Sequence, residues 1–278
     1  MVKLKIALLD MNNNHVNQGM RNIYEISKAF QSAYENEVPI DIKIFDVRFK
    51  NEMPKVEDFD IFISSGGPGS PHREGHEWED RFSEFLDTIW QHNLQSEKKK
   101  FLFLICHSFQ LASIHWGLGN INLRKSYSFG VMPIHKTLQG EDDILLRHLP
   151  EPFYAVDSRA YQFVQPNFKK MEEMGMQIVA LEKVRPHIQL ERAVMAVRFS
   201  EEIFGTQFHP EADPQGILIN LEDNKNRAAM IENYGLEKYA ETIDRLDDPD
   251  KIVLTQKEIL PRFLERAKHK LLHQVAAI

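Results

Sequence analysis

Across 278 residues there is one thiol, Cys106. No intramolecular disulfide is available to the chain, which sets it apart from small secreted scaffolds stapled by several bridges. Long apolar runs are also missing, and none approaches the roughly 20 residues that a membrane-crossing helix needs. The opening MVKLKIALLDMNNN has neither the extended apolar core nor the cleavage site of a signal peptide. Charge of one sign is not in strong excess: 34 basic residues face 41 acidic ones, a net charge of −7 spread along the chain. That distribution offers no basic surface for nucleic acid. No lysine follows the glycine-rich turn near residue 66, so a phosphate-binding P-loop is excluded. These absences lead to a cytoplasmic protein that engages neither membrane nor nucleic acid and needs no cofactor or metal.

What the sequence does contain is an alternation of strands and helices. The apolar run 4–10 is followed by helical spacing over 17–36, and 40–48 alternates like a strand. A buried strand at 58–64 ends in SSGGPGSP, an amphipathic helix is expected over 77–94, and FLFLIC leads into another helix. This order predicts an α/β fold: a doubly wound, mostly parallel sheet flanked by helices, flavodoxin-like, with ligands gathered at the carboxyl ends of the strands. From about residue 120 short strands predominate, predicting the second half of the sheet and an antiparallel flap. Beyond residue 213 the pattern is helical again, with a break at DDPDK and Pro261 either near the first turn of the last helix or kinking it. The organisation is therefore 1–213 as the α/β domain and 214–278 as a helical segment packed on it. Trp78, Trp90 and Trp116 fall on helices and are expected in the core.

Three short stretches carry chemistry. In FLFLICHSFQ a strand delivers Cys106 to the start of a helix, a corner where backbone N–H groups and the positive helix end favour thiolate. Read alone, the residue is either a packed small hydrophobe or a nucleophile. In GTQFHPEAD, His209 and Glu211 stand two apart, so an extended backbone sends both side chains to one face, where imidazole and carboxylate would serve a thiol. The bland alternative is a capped turn around Pro210. In SSGGPGSPH, Gly66, Gly67 and Gly69 leave N–H groups unobstructed past a strand, as an oxyanion hole, an anion nest or a plain tight turn requires.

Taken together, Ser65-Gly66-Gly67-Pro68, Cys106 with Gln110 four residues on, and His209-Pro210-Glu211 resemble the class I, triad-type, glutamine amidotransferase family, and in particular the glutaminase portion of GMP synthetase. The likeness spans about residues 3–213. It implies that Cys106 attacks the side-chain amide of glutamine, that His209 moves the proton to departing ammonia and that Glu211 orients His209. It further implies an oxyanion hole from the N–H groups of Gly67 and His107, and a glutamine pocket shaped by Gly66 and Gln110. Ammonia would then pass to a synthetase on a separate polypeptide.

The chain departs from the family at three places. The elbow pattern Gly-x-Cys-x-Gly reads Leu104-Ile105-Cys106-His107-Ser108, so either the corner is reshaped or its backbone does not need glycine. The imidazole of His107 is expected to be solvated or capping. The family's glutamate two residues before a glycine is Ser128 before Gly130, and the segment that ends in Ser-His in the family reads Ser158-Arg159, with Tyr161 close by. These changes open a second reading, hydrolysis of other γ-glutamyl amines or peptides. A third is a catalytically weak binding or regulatory protein. The resemblance implies one closing helix after His-Pro-Glu, for which PQGILINLEDN and KEILPRFLERAKHKLL are the two candidates; for the other residues after 213, simple packing, a cap over the sheet or the site and a homodimer surface are all open.

Overall fold

The computed structural model describes residues 3–275 apart from 188, 223 and 247. A single nine-stranded sheet runs through it in the order β2-β1-β3-β4-β9-β8-β7-β5-β6. Its first five members are β2 (Ile40–Asp46), β1 (Leu4–Asp10), β3 (Ile61–Ser64), β4 (Phe101–Ile105) and β9 (Ile203–Thr206), all mutually parallel. The central three are apolar on both faces, as strands covered by helices on two sides must be. The other four, β8 (Val194–Arg198), β7 (Gln177–Glu182), β5 (Asn120–Lys136) and β6 (Phe153–Val164), are antiparallel. The expected flap is thus continuous with the main sheet. A register irregularity between Leu123 and Ser128 bends β5 where it approaches the strand ends.

Helices cover the sheet from both sides. On one face α2 (Glu77–Gln95) and α3 (His107–His115) bury Phe82, Phe85, Leu86, Ile89 and Phe109, joined by Trp78 and Trp116, with Trp90 packed against them. On the other, α1 (Gln18–Ala33) contributes Met20, Ile23 and Phe30, and α8 (Leu254–Val275) contributes Ile259, Leu260, Phe263, Leu264, Ala267 and Leu271 to the same core. The short α4 (Leu138–Asp142) and α5 (Phe168–Glu173) lie in the connections of the antiparallel half. Of the two placements open to Pro261, the structure has it inside α8, beyond the first turn.

Between the His-Pro-Glu stretch and α8 the chain makes an excursion. Helix α6 (Pro214–Glu222) leads into α7 (Asn224–Leu246), which is kinked at Gly235 (φ 85°, ψ 159°), and a π-helical turn at Pro249–Val253 follows. Leu246 and Ile252 pack on Val131 and Val156 of the β5–β6 hairpin, with Ile217 and Ile243 beside them. Of the two candidates for the helix that closes the sheet, α8 fills that position, and α6 and α7 cover the flap.

Candidate active site

Cys106 occupies the turn between β4 and α3 with φ 49° and ψ −97°, a region that a residue with a Cβ seldom enters. Two features make the corner feasible without the expected glycines. Leu104 lies opposite Gly205 of β9, and a Cβ on Gly205 would stand 3.4 Å from the Leu104 Cβ and 2.8 Å from rings of Phe109 and Phe199. The small residue is supplied by the neighbouring strand. Ser108 is tied in: its hydroxyl donates to the Ser65 carbonyl (2.5 Å) and lies 2.7 Å from Ser64 Oγ. Since its one proton is committed, Ser64 is the donor in the second bond.

His209 and Glu211 approach Cys106 from the end of β9, the strand next to β4. His209 forms an antiparallel bridge to Val156, and Pro210 and Glu211 turn immediately afterwards. It is therefore a turn, and not a continuing strand, that brings His209 Nδ1 to 2.8 Å from Glu211 Oε1. Glu211 is buried and lies over the first turn of α1, where a Cβ on Gly19 would be 2.9 Å from Oε1. The positive end of that helix favours the carboxylate. Burial lowers the His209 pKa, but the charges of Glu211 and Cys106 and hydrogen bonds to both outweigh it, leaving the imidazole well above its ordinary value. The protonated imidazole is the form that this surrounding favours.

The glycine loop closes the third side. A Cβ on Gly66 would stand 2.9 Å from His209 Cε1 and 3.4 Å from Cys106 Cβ, so only glycine leaves that space open. A Cβ on Gly67 would fall 2.2 Å from the Met11 carbonyl oxygen, a backbone contact. Arg48 braces the loop by donating to the carbonyls of Pro68 (2.5 Å) and Met11 (3.2 Å) while lying over Trp78. His107 opens α3, so its N–H has no acceptor within the helix. Its imidazole departs from the expectation of a solvated or capping role: it is buried beside Trp78, and burial, followed by the charge of Arg48, lowers its pKa to about 3. A neutral ring of that kind is a packing element.

Gln110 is buried and committed, donating to Gln207 Oε1 (2.8 Å) and the Tyr161 carbonyl (3.3 Å). Gln207 in turn points its amide at the Cys106 sulfur (3.6 Å), and the Ser158 carbonyl lies 3.7 Å from that sulfur. Gln207, Arg48 and Tyr127, whose hydroxyl is 2.7 Å from Ser158 Oγ, were not singled out from the sequence. Gln207 had a signal, since it lies two residues before His209. The other two reach the site only through tertiary structure. Where the family pattern has a glutamate, Ser128 donates to Asp157 Oδ2 (2.7 Å), so a carboxylate is present on the adjoining strand. Asp157 is itself paired with Arg159. Among the described residues no cluster of three or more His, Cys, Asp or Glu is arranged to hold a metal. Nor is any described helix long and apolar enough to cross a membrane.

A strained cysteine elbow, a His-Glu pair and a glycine loop at the carboxyl edge of a doubly wound sheet define the class, and comparison with known proteins agrees. The model of the class I glutamine amidotransferases matches residues 21–220, more than half of the chain, and the protein belongs to that family. No curated protein matches it by sequence. Among solved structures, it is similar to a glutamine amidotransferase from Thermotoga maritima, at 13% identity and TM-score 0.67, covering 96% of this chain and 99% of that one. It is also similar to a putative GMP synthase subunit from Thermoplasma acidophilum (17%, TM-score 0.51, 84% and 98% covered). The acivicin-bound glutaminase domain of Trypanosoma brucei CTPS is a third (16%, TM-score 0.55, 75% and 86% covered). At such identities the structural likeness establishes the fold.

Proposed function

We propose that the chain hydrolyses the side-chain amide of glutamine, with Cys106 as nucleophile, His209 as proton carrier and Glu211 as the group that orients it. The observation that carries this reading is the 2.8 Å bond between His209 and Glu211 beside a cysteine held at φ 49°. The thiolate attacks the amide carbon, and the oxyanion is held by N–H groups of Gly67 and His107. Collapse of the adduct expels ammonia as it takes the proton from His209, leaving a γ-glutamyl thioester. Water, deprotonated by His209, attacks the thioester carbonyl. Glutamate departs and the thiol is regenerated. Ammonia would serve a synthetase on another polypeptide, a role supported by the likeness to proteins named as a synthase subunit and a CTPS glutaminase domain.

One observation favours a second reading. A cavity of about 330 Å³ adjoins His209 and Glu211, walled by the N-terminal end of α1 and by α6. Ammonia needs only the ~30 Å³ of one water. A substituted amine would use the remaining room, which suits γ-glutamyl amines as substrates.

Glutamate release from glutamine and from a panel of γ-glutamyl amines, with Cys106→Ala as control, separates the two. Acivicin, found bound to the Trypanosoma brucei domain, is the matching label for Cys106. Absence of turnover on every amide, together with no labelling of Cys106, would refute both readings.

A further inference from the structure

A second cavity, of about 310 Å³, lies between the flap and α7 and has no part in the chemistry above. Its walls carry Arg124, Lys183, Arg185 and Lys238. Three guanidinium groups converge on the single carboxylate of Glu182: Arg185 at 2.7 Å, Arg124 at 3.1 Å and Arg159 at 3.3 Å. Arg159 also takes Asp157, and Lys238 takes Glu241 (2.6 Å). No carboxylate among the described residues is ion-paired with Lys183. Six cations, Arg124, Arg159, Lys183, Arg185, Lys238 and, on Glu241, Arg245, thus share three carboxylates, Asp157, Glu182 and Glu241, and three positive charges are left over. Arg124 and Arg159 are nearly inaccessible, and Arg185 and Lys238 are about three-quarters covered. Positive charge withdrawn from water without a counterion is costly, so folded proteins supply one. Burial and the neighbouring charges of Lys238 and Arg185 push the Lys183 ammonium below its usual range, as expected where like charges are crowded together.

We infer that this cavity is an anion-binding site that takes a carboxylate or phosphate group. The flap supplies most of the charge, and α7 closes the site with Lys238 and with Tyr234, whose hydroxyl bonds to the Tyr127 carbonyl. Occupancy therefore also holds α7 against β5. The floor is close to the thiol: Asp157 precedes Ser158, whose carbonyl lies 3.7 Å from the Cys106 sulfur. The anion is either the acidic end of the molecule whose amide reaches Cys106 or a separate small ligand. The site itself stands whether or not the chain hydrolyses glutamine.

The test uses the full chain with inorganic phosphate and glutarate as probes, against sodium chloride at equal ionic strength. Saturable binding is expected by calorimetry, with Tm raised by on the order of 5 °C near saturation. Lys183→Gln combined with Lys238→Gln should abolish both effects, and Lys183→Arg should retain them. Competition between phosphate and the amide substrate in the turnover assay would assign the anion to the substrate. Binding without competition would assign it to a second ligand. Absence of saturable binding, or binding unchanged in the double variant, overturns the proposal.

Discussion

Leu104 and Gly205 are register partners on adjacent parallel strands, and the hydrogen that serves as the side chain of one makes room for the isobutyl group of the other. The elbow keeps its shape because the glycine has been transferred across the ladder. Gly205→Ala would press into Phe109 and Phe199 as well as Leu104, and it should cost about 1–3 kcal/mol of stability, as overpacking does. Leu104→Gly, which restores the family's residue at that position, should be more harmful, at about 3–5 kcal/mol, since it removes a fully buried side chain and loosens a central strand. Urea midpoints at constant m-value measure both.

Gly66 and Gly67 should separate function from folding. In Gly66→Ala the new methyl meets the tip of the His209 ring, so kcat should fall by about a hundredfold or more through misalignment while the fold persists. In Gly67→Ala it meets the Met11 carbonyl, which is backbone and cannot swing aside, and soluble folded protein should be scarce. Circular dichroism beside glutamate release distinguishes the two.

Cys106 is held in a conformation that glycine adopts without strain. Cys106→Gly and Cys106→Ala should both be inactive, with the glycine variant the more stable of the pair by about 1 kcal/mol. Equal midpoints in thermal and urea unfolding would show that the corner is not strained.

His107 gives the protein an acid sensitivity unrelated to catalysis. Its folded pKa of about 3 lies below the ordinary value of 6.5, so the unfolded chain takes up the proton first. Stability is intact above about pH 6.5 and declines as pH falls towards 3, by about 2 kcal/mol at pH 5. His107→Gln should flatten that slope between pH 7 and 5.

His209 has the opposite dependence. Its folded pKa is raised, so its pairing with Glu211 contributes fully below the unfolded value of about 6.5 and is lost as pH climbs through the folded value. The stability advantage of the wild type over Glu211→Gln should therefore be widest at or below pH 6.5 and shrink in alkali. A constant difference across pH 6 to 10 would contradict the pairing.

Local patterns made the parallel half readable, because β1, β3 and β4 are continuous apolar runs ending at turn residues. His209 and Glu211 were readable from their spacing of two, although the geometry that joins them is a turn. Leu104 was ambiguous because its answer lies about a hundred residues away in Gly205, and strand adjacency is not written in local sequence. Gln110 resembled a free pocket residue, and only the fold reveals that Gln207 engages it. The choice between α6 and α8 as the closing helix depended on which apolar face the sheet accepts, and both sequences offered one.

The position of α8 has a consequence for biosynthesis. Its residues Ile259 to Leu271 complete the face of the sheet shared with α1, and its first turn holds the site as well: Gln256 donates to the Glu211 carbonyl and Thr255 to that of Tyr154. The strands made first thus wait, with that face only partly covered by α1, until α8 has been made. Until then the apolar surface of β1, β3 and β4 should be open to chaperones, and a chain cut between Glu211 and α8 should be poorly soluble even though every residue of the Cys-His-Glu set is in it.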